Sequence, residues 1–235
     1  MQITSYDMME GAAARFMGAG AETDEITASE FIWLRELTHR INNELTSTIG
    51  LISVDAARSD NCGVKLALAR VIEHLHDHAR LYRALQMPLE NKWIDATACL
   101  RELCQLISRA KLQRNGIQLI FVEHPVWLTT IQCWKLSMII SELITNSCRH
   151  AFGDKGGSIR VELKKRGSRA ECSVADDGTN SELVRSGHGT KIVQQLALAL
   201  DGGIDLRFGR EGAIATVSFQ IARPVQSRQR TEIDL

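Results

Sequence analysis

The sequence predicts an α+β chain in two parts, a helical hairpin followed by an α/β sandwich. Three observations carry this. Apolar residues recur at spacings of three and four from Ser29 to Leu85 with one interruption, Pro88 closes that run, and beyond it short apolar runs of strand type alternate with helical ones.

The first helical arm is read from Leu34, Leu37, Ile41, Leu45, Thr48 and Ile52. Arg58 to Gly63 (RSDNCG) breaks it. A second arm follows in which Val64, Leu68, Val71, Leu75, His78, Tyr82 and Leu85 alternate spacings of four and three, a heptad seam. Pro88 ends this arm, because proline cannot donate an amide and pushes the residue before it out of the helical region. Two helices with one apolar stripe each cannot enclose a core alone, so the hairpin is expected to pair with a second copy as a four-helix bundle in a homodimer. Packing of the hairpin on its own second domain is the alternative.

After Pro88 the expected order is a helix over 95–111, a strand over 117–122 and a helix over 131–152 ended by Gly153. A strand hairpin over 158–165 and 170–174 comes next, turning at Arg166-Gly167-Ser168. A helix over 191–200 stops at Asp201-Gly202-Gly203, and strands over 204–208 and 213–221 close the chain. That order suggests a sheet covered on one face. The domain reading is a leader over 1–28, the hairpin over 29–88, the sandwich over 89–222 and a tail over 223–235.

Lys plus Arg and Asp plus Glu both number 28, so no net field argues for nucleic acid or an anionic membrane as partner, and neither is expected. No apolar run reaches the ~18 residues of a membrane span, and the amino terminus lacks a basic signal-type region. The six cysteines contain no C-x-x-C pair and read as thiols of a cytoplasmic protein.

Four groups of residues could carry chemistry. His39, in Glu36-Leu37-Thr38-His39-Arg40-Ile41-Asn42-Asn43-Glu44-Leu45, falls about 140° from its helix seam, so its imidazole should face solvent. A neutral imidazole is a competent nucleophile when a neighbour fixes its tautomer. Glu36 could orient the ring, and Asn43 could touch a phosphoryl group. On the later helix, Glu142, Asn146 and His150 line up at intervals of four, a carboxylate, an amide and an imidazole that could serve a metal-bound phosphate, with the amide oxygen a hard ligand suited to Mg²⁺. In Val174-Ala175-Asp176-Asp177-Gly178 a strand ends in two carboxylates and a glycine, where Asp176 could accept from an exocyclic amine and Gly178 would let the backbone approach a flat ring. Finally, Gly187-His188-Gly189-Thr190 leads into a helix and presents amides to an anion such as a polyphosphate.

An exposed His on a helical hairpin, then E-x-x-x-N, then D-x-G, then G-x-G, resembles the H, N, G1 and G2 boxes of the two-component sensor histidine kinases. Glu36 to Leu45 is similar to the phosphoacceptor box of the branch related to the HWE kinases, and SELITNSCRHAF, from Ser141 to Phe152, to its N box. The similarity runs over about 31–221. No W-x-E triplet is present, Thr38 precedes the phosphoacceptor, and Asn180 stands where the G1 pattern has its second glycine, a short segment before Gly187.

That resemblance implies a GHKL-type sandwich binding ATP and Mg²⁺, with autophosphorylation of His39 and onward transfer to an aspartate of a response-regulator receiver domain. It makes Asn146 the Mg²⁺ ligand, with Glu142 beside it positioning the nucleophile or a metal-bound water. Asp176 binds the adenine amino group above Gly178, Gly187 and Gly189 hinge a lid, and Thr216 supports the adenine. His150 and Thr190 complete the nucleotide-binding set. The other reading is a dimeric histidine phosphotransferase whose sandwich no longer binds ATP.

Overall fold

The computed structural model of the protein describes residues 28–153, 155–179 and 188–222. The leader, except Ala28, and the tail lie outside them. So do Asn180 and Gly187.

Two long helices, α1 (Ala28–Arg58) and α2 (Cys62–Ala84), form the expected hairpin. The break falls where the sequence loses its period, and Asn61 caps α2 by accepting from the amides of Gly63 at 2.8 Å and Val64 at 3.2 Å. Strand β1 (Trp93–Asp95) then leads into α3 (Ala96–Ile107), capped by Asp95 through the amides of Thr97 and Ala98. The helix expected over 95–111 does not stay α to its end. It widens into a π turn over Ser108–Leu112 and tightens into a 3-10 turn over Gln113–Asn115, which Gly116 ends at φ +64°.

Strands β2 (Ile117–Val122) and β3 (Trp127–Thr129) precede α4 (Thr130–His150), whose first turn is capped by Thr129. Then come β4 (Gly157–Arg166), β5 (Arg169–Asp176), α5 (His188–Leu198), β6 (Gly202–Gly209) and β7 (Gly212–Gln220). The main sheet has the order β2-β4-β5-β7-β6, with β2 parallel to β4 and every other pair antiparallel. β1 and β3 pair separately in a two-stranded sheet that the sequence did not announce, because three residues are too few to show a period of two.

Alternation along the strands turns Ile159, Val161 and Leu163 of β4, Ala170, Cys172 and Val174 of β5, and Ala215, Val217 and Phe219 of β7 into the core. Leu100, Ile107, Leu136, Ile139, Ile140 and Ile144 meet them from α3 and α4, which makes the one-sided sandwich. Burial of each such side chain stabilises the fold by about 1.5–3 kcal/mol.

Helix α2 has two working faces. Its C-terminal end enters the sandwich core through Leu81, which is 1% exposed, and Trp134 donates its indole N–H to the Leu85 carbonyl at 3.0 Å. Near the hairpin turn, by contrast, Leu51, Val54, Val64, Leu66 and Val71 are exposed, Leu51 to 67%. The heptad seam is therefore only partly covered within one chain.

Where α2 faces the π turn, the rings of His74 and His78 meet edge to face with centroids 4.6 Å apart. Burial pushes the His78 imidazole down to about 4, with His74, Lys111 and Arg114 adding to the shift and Asp77 opposing it. The folded state thus holds the ring neutral while the unfolded chain protonates it near the ordinary ~6.5. Between those values the unfolded state binds more protons, so stability falls as pH drops from about 6.5 towards 4. His78→Phe should lose that slope. Urea unfolding at about pH 7 and pH 4.5 should show the variant losing about 1–2 kcal/mol less than the parent, after discounting for the partial exposure of the ring.

Candidate active site

One cleft opens between the C-terminal half of α4, the start of α5 and the β5-β7-β6 end of the sheet. It encloses about 660 Å³, its mouth included, and Asn146, His150, Asp176 and Thr190 of the expected residues all line it. Leu143, Val174, Val193, Ile204, Leu206 and Ala215 supply apolar walls. Residues from a helix row, a strand end and a helix entry, separate in sequence, are thereby brought to one place.

Asp176 ends β5 at the floor of the cleft. Its Oδ1 accepts from the amides of Gly178 and Ala213, each at 3.2 Å, and its Oδ2 accepts from the Ser147 hydroxyl at 2.7 Å. A carboxylate has about four lone-pair sites. Three are engaged by the protein, which leaves one for a donor in the cleft. A flat apolar ring with an exocyclic amine fits this floor and these walls.

Asp177, the second carboxylate of the pair, is exposed and turned to Ser158. It accepts from the Ser158 amide at 2.7 Å and from its hydroxyl at 2.6 Å, and these bonds, the hydroxyl's foremost, hold its carboxyl below the usual aspartate range. The two adjacent acids are thus assigned different work by strand alternation.

Gly178 has another role than the one expected from sequence. A Cβ there would lie 2.4 Å from both the Cβ and the carbonyl oxygen of Ala151, so this glycine lets the β5 end pack against the end of α4, and it does not line the cleft. Gly189 is equally constrained, since a Cβ would fall 2.0 Å from Glu142 Oε1. Glu142 is buried, and the entry of α5 closes over it. Gly212 sits at φ +125° with a would-be Cβ 1.8 Å from the Asp176 carbonyl oxygen. Gly212→Ala should therefore destabilise the fold by on the order of 3 kcal/mol, measured by urea unfolding.

Thr216 does not line the cleft. It pairs with Ser173 and Asp205, whereas the cleft-facing row of β7 contains Ala215, paired with Val174. Side chains alternate along a strand, so the residue next to the right one points to the other face. The neighbouring positions that sequence reading missed are Ser147, which orders Asp176, and Ala213, whose amide does the same. Ser147 carried no signal of its own in the sequence.

On the hairpin, His39 is exposed, as its angle from the seam predicted. Its Nδ1 lies 3.1 Å from the side-chain amide nitrogen of Asn43. The carboxylate expected to orient it does something else: Glu36 accepts from Arg40 Nε at 3.0 Å, because an arginine four residues on is a stronger partner for a carboxylate than a neutral ring. Asn43 is thus the residue that holds the imidazole. Its engagement of Nδ1 leaves Nε2 facing outward. None of the three hairpin residues lines the cleft.

For Mg²⁺, the donor set fits in part. Asn146 offers an amide oxygen at the cleft wall, and Mg²⁺ takes one or two protein ligands together with phosphates and water. Among the described residues no group of three or more His, Cys, Asp or Glu could hold a metal by itself.

A hairpin with a solvent-facing imidazole is thus joined to a one-sided sandwich whose apolar cleft has an acid at its floor. Residues 36–111 match the HisKA_2 family model, described as histidine kinase. The match covers about a third of the chain and agrees with the resemblance drawn from the boxes. It is 25% identical over 196 residues to the sensor histidine kinase PdtaS of Mycobacterium tuberculosis, covering 80% of this chain and 39% of that protein. It is 23% identical over 203 residues to the blue-light-activated histidine kinase 2 of Erythrobacter litoralis, covering 81% of this chain and 57% of that one. The chain therefore spans less than two thirds of the length of these relatives. In fold it is similar to the histidine kinase domain of the Erythrobacter litoralis EL346 blue-light activated histidine kinase, with a TM-score of 0.54 at 18% identity over 76% of this chain and 96% of that one.

Proposed function

We propose that the protein is a histidine kinase that phosphorylates His39 from MgATP and passes the phosphoryl group to an aspartate of a response-regulator receiver domain. The observation that carries this is the pairing, in one chain, of an exposed imidazole held by Asn43 with a cleft whose floor acid keeps one acceptor site open. ATP would supply the γ-phosphoryl group and Mg²⁺ the neutralising charge.

The chain's own residues divide the remaining work. Asp176 receives the adenine amine against the apolar walls, while Asn146 stands at the metal and His150 and Thr190 at the phosphates. Rotated so that its oxygen accepts from Nδ1–H, the Asn43 amide leaves the Nε2 lone pair of His39 as the nucleophile. An N–P bond forms at Nε2 as the P–O bond to ADP breaks, and Glu142 lies one turn before Asn146 to position the reacting groups. Hairpin and sandwich divide near residue 88, the hairpin as acceptor and docking surface.

A homodimer belongs to the same reading. Leu51, Val54, Val64, Leu66 and Val71 form an exposed apolar stretch at the hairpin end, which a second copy would cover as a four-helix bundle. A cytoplasmic location is part of the proposal too, supported by six free thiols. No helix among the described residues is long and apolar enough to cross a membrane.

The test is incubation of the purified chain with γ-labelled ATP and Mg²⁺. An acid-labile, base-stable label on the protein, chased onto a receiver domain, is the expected result. Label that enters only from a phosphorylated receiver, and never from ATP, would replace the kinase by a phosphotransferase.

A further inference from the structure

The segment over 108–116 touches both halves of the molecule. Arg114, in the 3-10 turn, donates to the Arg70 carbonyl of hairpin helix α2 at 3.4 Å. Lys111, in the π turn, donates from Nζ to Thr145 Oγ1 of α4 at 2.9 Å. Asn115 donates to the Lys111 carbonyl at 3.2 Å and reaches Cys148 Sγ at 3.5 Å. At the end of the segment, the Gly116 carbonyl accepts from the Gly157 amide at 3.4 Å, just after the loop that leaves α4.

Thr145 is buried, and its hydroxyl proton is already given to the Ser141 carbonyl at 2.7 Å. Its oxygen is therefore an acceptor for the ammonium and has no second proton to donate elsewhere. The residue after it is Asn146, and one turn before Asn146 is Glu142. A lysine that fixes Thr145 also fixes the rotation and height of the α4 turn that presents Asn146 to the cleft. The irregular helical turns matter here, since both Ala110 and Leu112 are buried while Lys111 between them is aimed at α4.

We propose that Lys111 is a positioning residue: through Thr145 it sets Asn146 as a metal ligand, from a segment that the hairpin holds in place through Arg114. This rests on the nucleotide-binding reading of the cleft. A ligand's supporting contact acts on metal affinity more than on the rest of the site, and losing one costs about 10–100-fold there.

In the full chain, binding of a fluorescent ATP analogue is followed while Mg²⁺ is titrated, and again in EDTA. For Lys111→Met, the Mg²⁺ concentration giving half-maximal binding rises by about tenfold, while metal-free affinity stays within about twofold. Thr145→Val gives the same split, Lys111→Arg restores most of it, and the double variant is no worse than either single one, because both remove one contact. An equal loss with and without metal, or no change, overturns the proposal. Amide exchange over Thr145–His150 without nucleotide separates this from the kinase reading. It rises in Lys111→Met and not in Lys111→Arg even if the parent chain binds no nucleotide, and unchanged exchange there overturns the positioning role on its own.

Discussion

His39→Ala abolishes the acid-labile label that the parent chain takes from γ-labelled ATP, a loss on the order of 10³-fold or more, since a covalent acceptor cannot be partly replaced. The result is interpretable because the ring is exposed and, among the described residues, is held by a bond to Asn43. Substitution at such a position changes stability by no more than about 0.5 kcal/mol, so thermal unfolding of the variant should overlay the parent. Of the other described histidines, His76 and His150 are exposed like His39 and serve as control substitutions, while three are less available. His74 and His78 meet edge to face and are partly buried on α2, and His124 lies 3.2 Å from Glu162. If His39→Ala still accepted label, His39 would not be the acceptor and the assignment of the first constellation would fall.

Asp176→Asn weakens ATP binding by about 10–100-fold, the value of a hydrogen bond to a charged acceptor, about 1.5–3 kcal/mol. The amide is chosen over alanine for a structural reason. Its oxygen can still accept from Gly178 and Ala213, and the Ser147 hydroxyl can turn to accept from its nitrogen, so the β5 end keeps its shape. The position left for a ligand then offers an N–H where an amine needs an acceptor. Nucleotide titration by calorimetry reads the effect directly, and label transfer from ATP falls with it. Transfer to His39 from a phosphorylated receiver should stay at the parent's rate, because the hairpin is untouched. A variant that bound ATP normally would remove Asp176 from the adenine site.

Much of the hairpin was legible from sequence because its helices are long and their apolar residues repeat many times. The seam from Val64 to Leu85 fixed the helix, Pro88 closed it, and the exposure of His39 followed from an angle. What the period could not report was that α2 has a second face. Leu81 lies off the seam, and only the docking of the sandwich shows it to be core. The cleft was legible in part, through Asn146, His150, Asp176 and Thr190, since helix spacing and a strand end both project side chains in calculable directions. Thr216 stands one residue from the cleft-lining Ala215, and in a strand a step of one residue moves a side chain to the other face. Gly178 was recognised as a close approach, but the group it approaches is Ala151, which no local pattern identifies.

The sequence by itself determined the order of the longer elements, the solvent-facing His39 and four of the residues that line the cleft. Those properties depend on residues near one another in the chain, where propensity, period and capping act. Only the tertiary structure decided which partner each polar group takes. Asn43 rather than Glu36 holds the imidazole, Ser147 rather than Thr216 reaches Asp176 at the cleft floor, and Lys111 reaches Thr145 across a π turn. Hydrogen bonds are directional and short, so a rotation of one helix residue or a shift of one strand position exchanges the partner. The packing of the hairpin and sandwich sets those rotations.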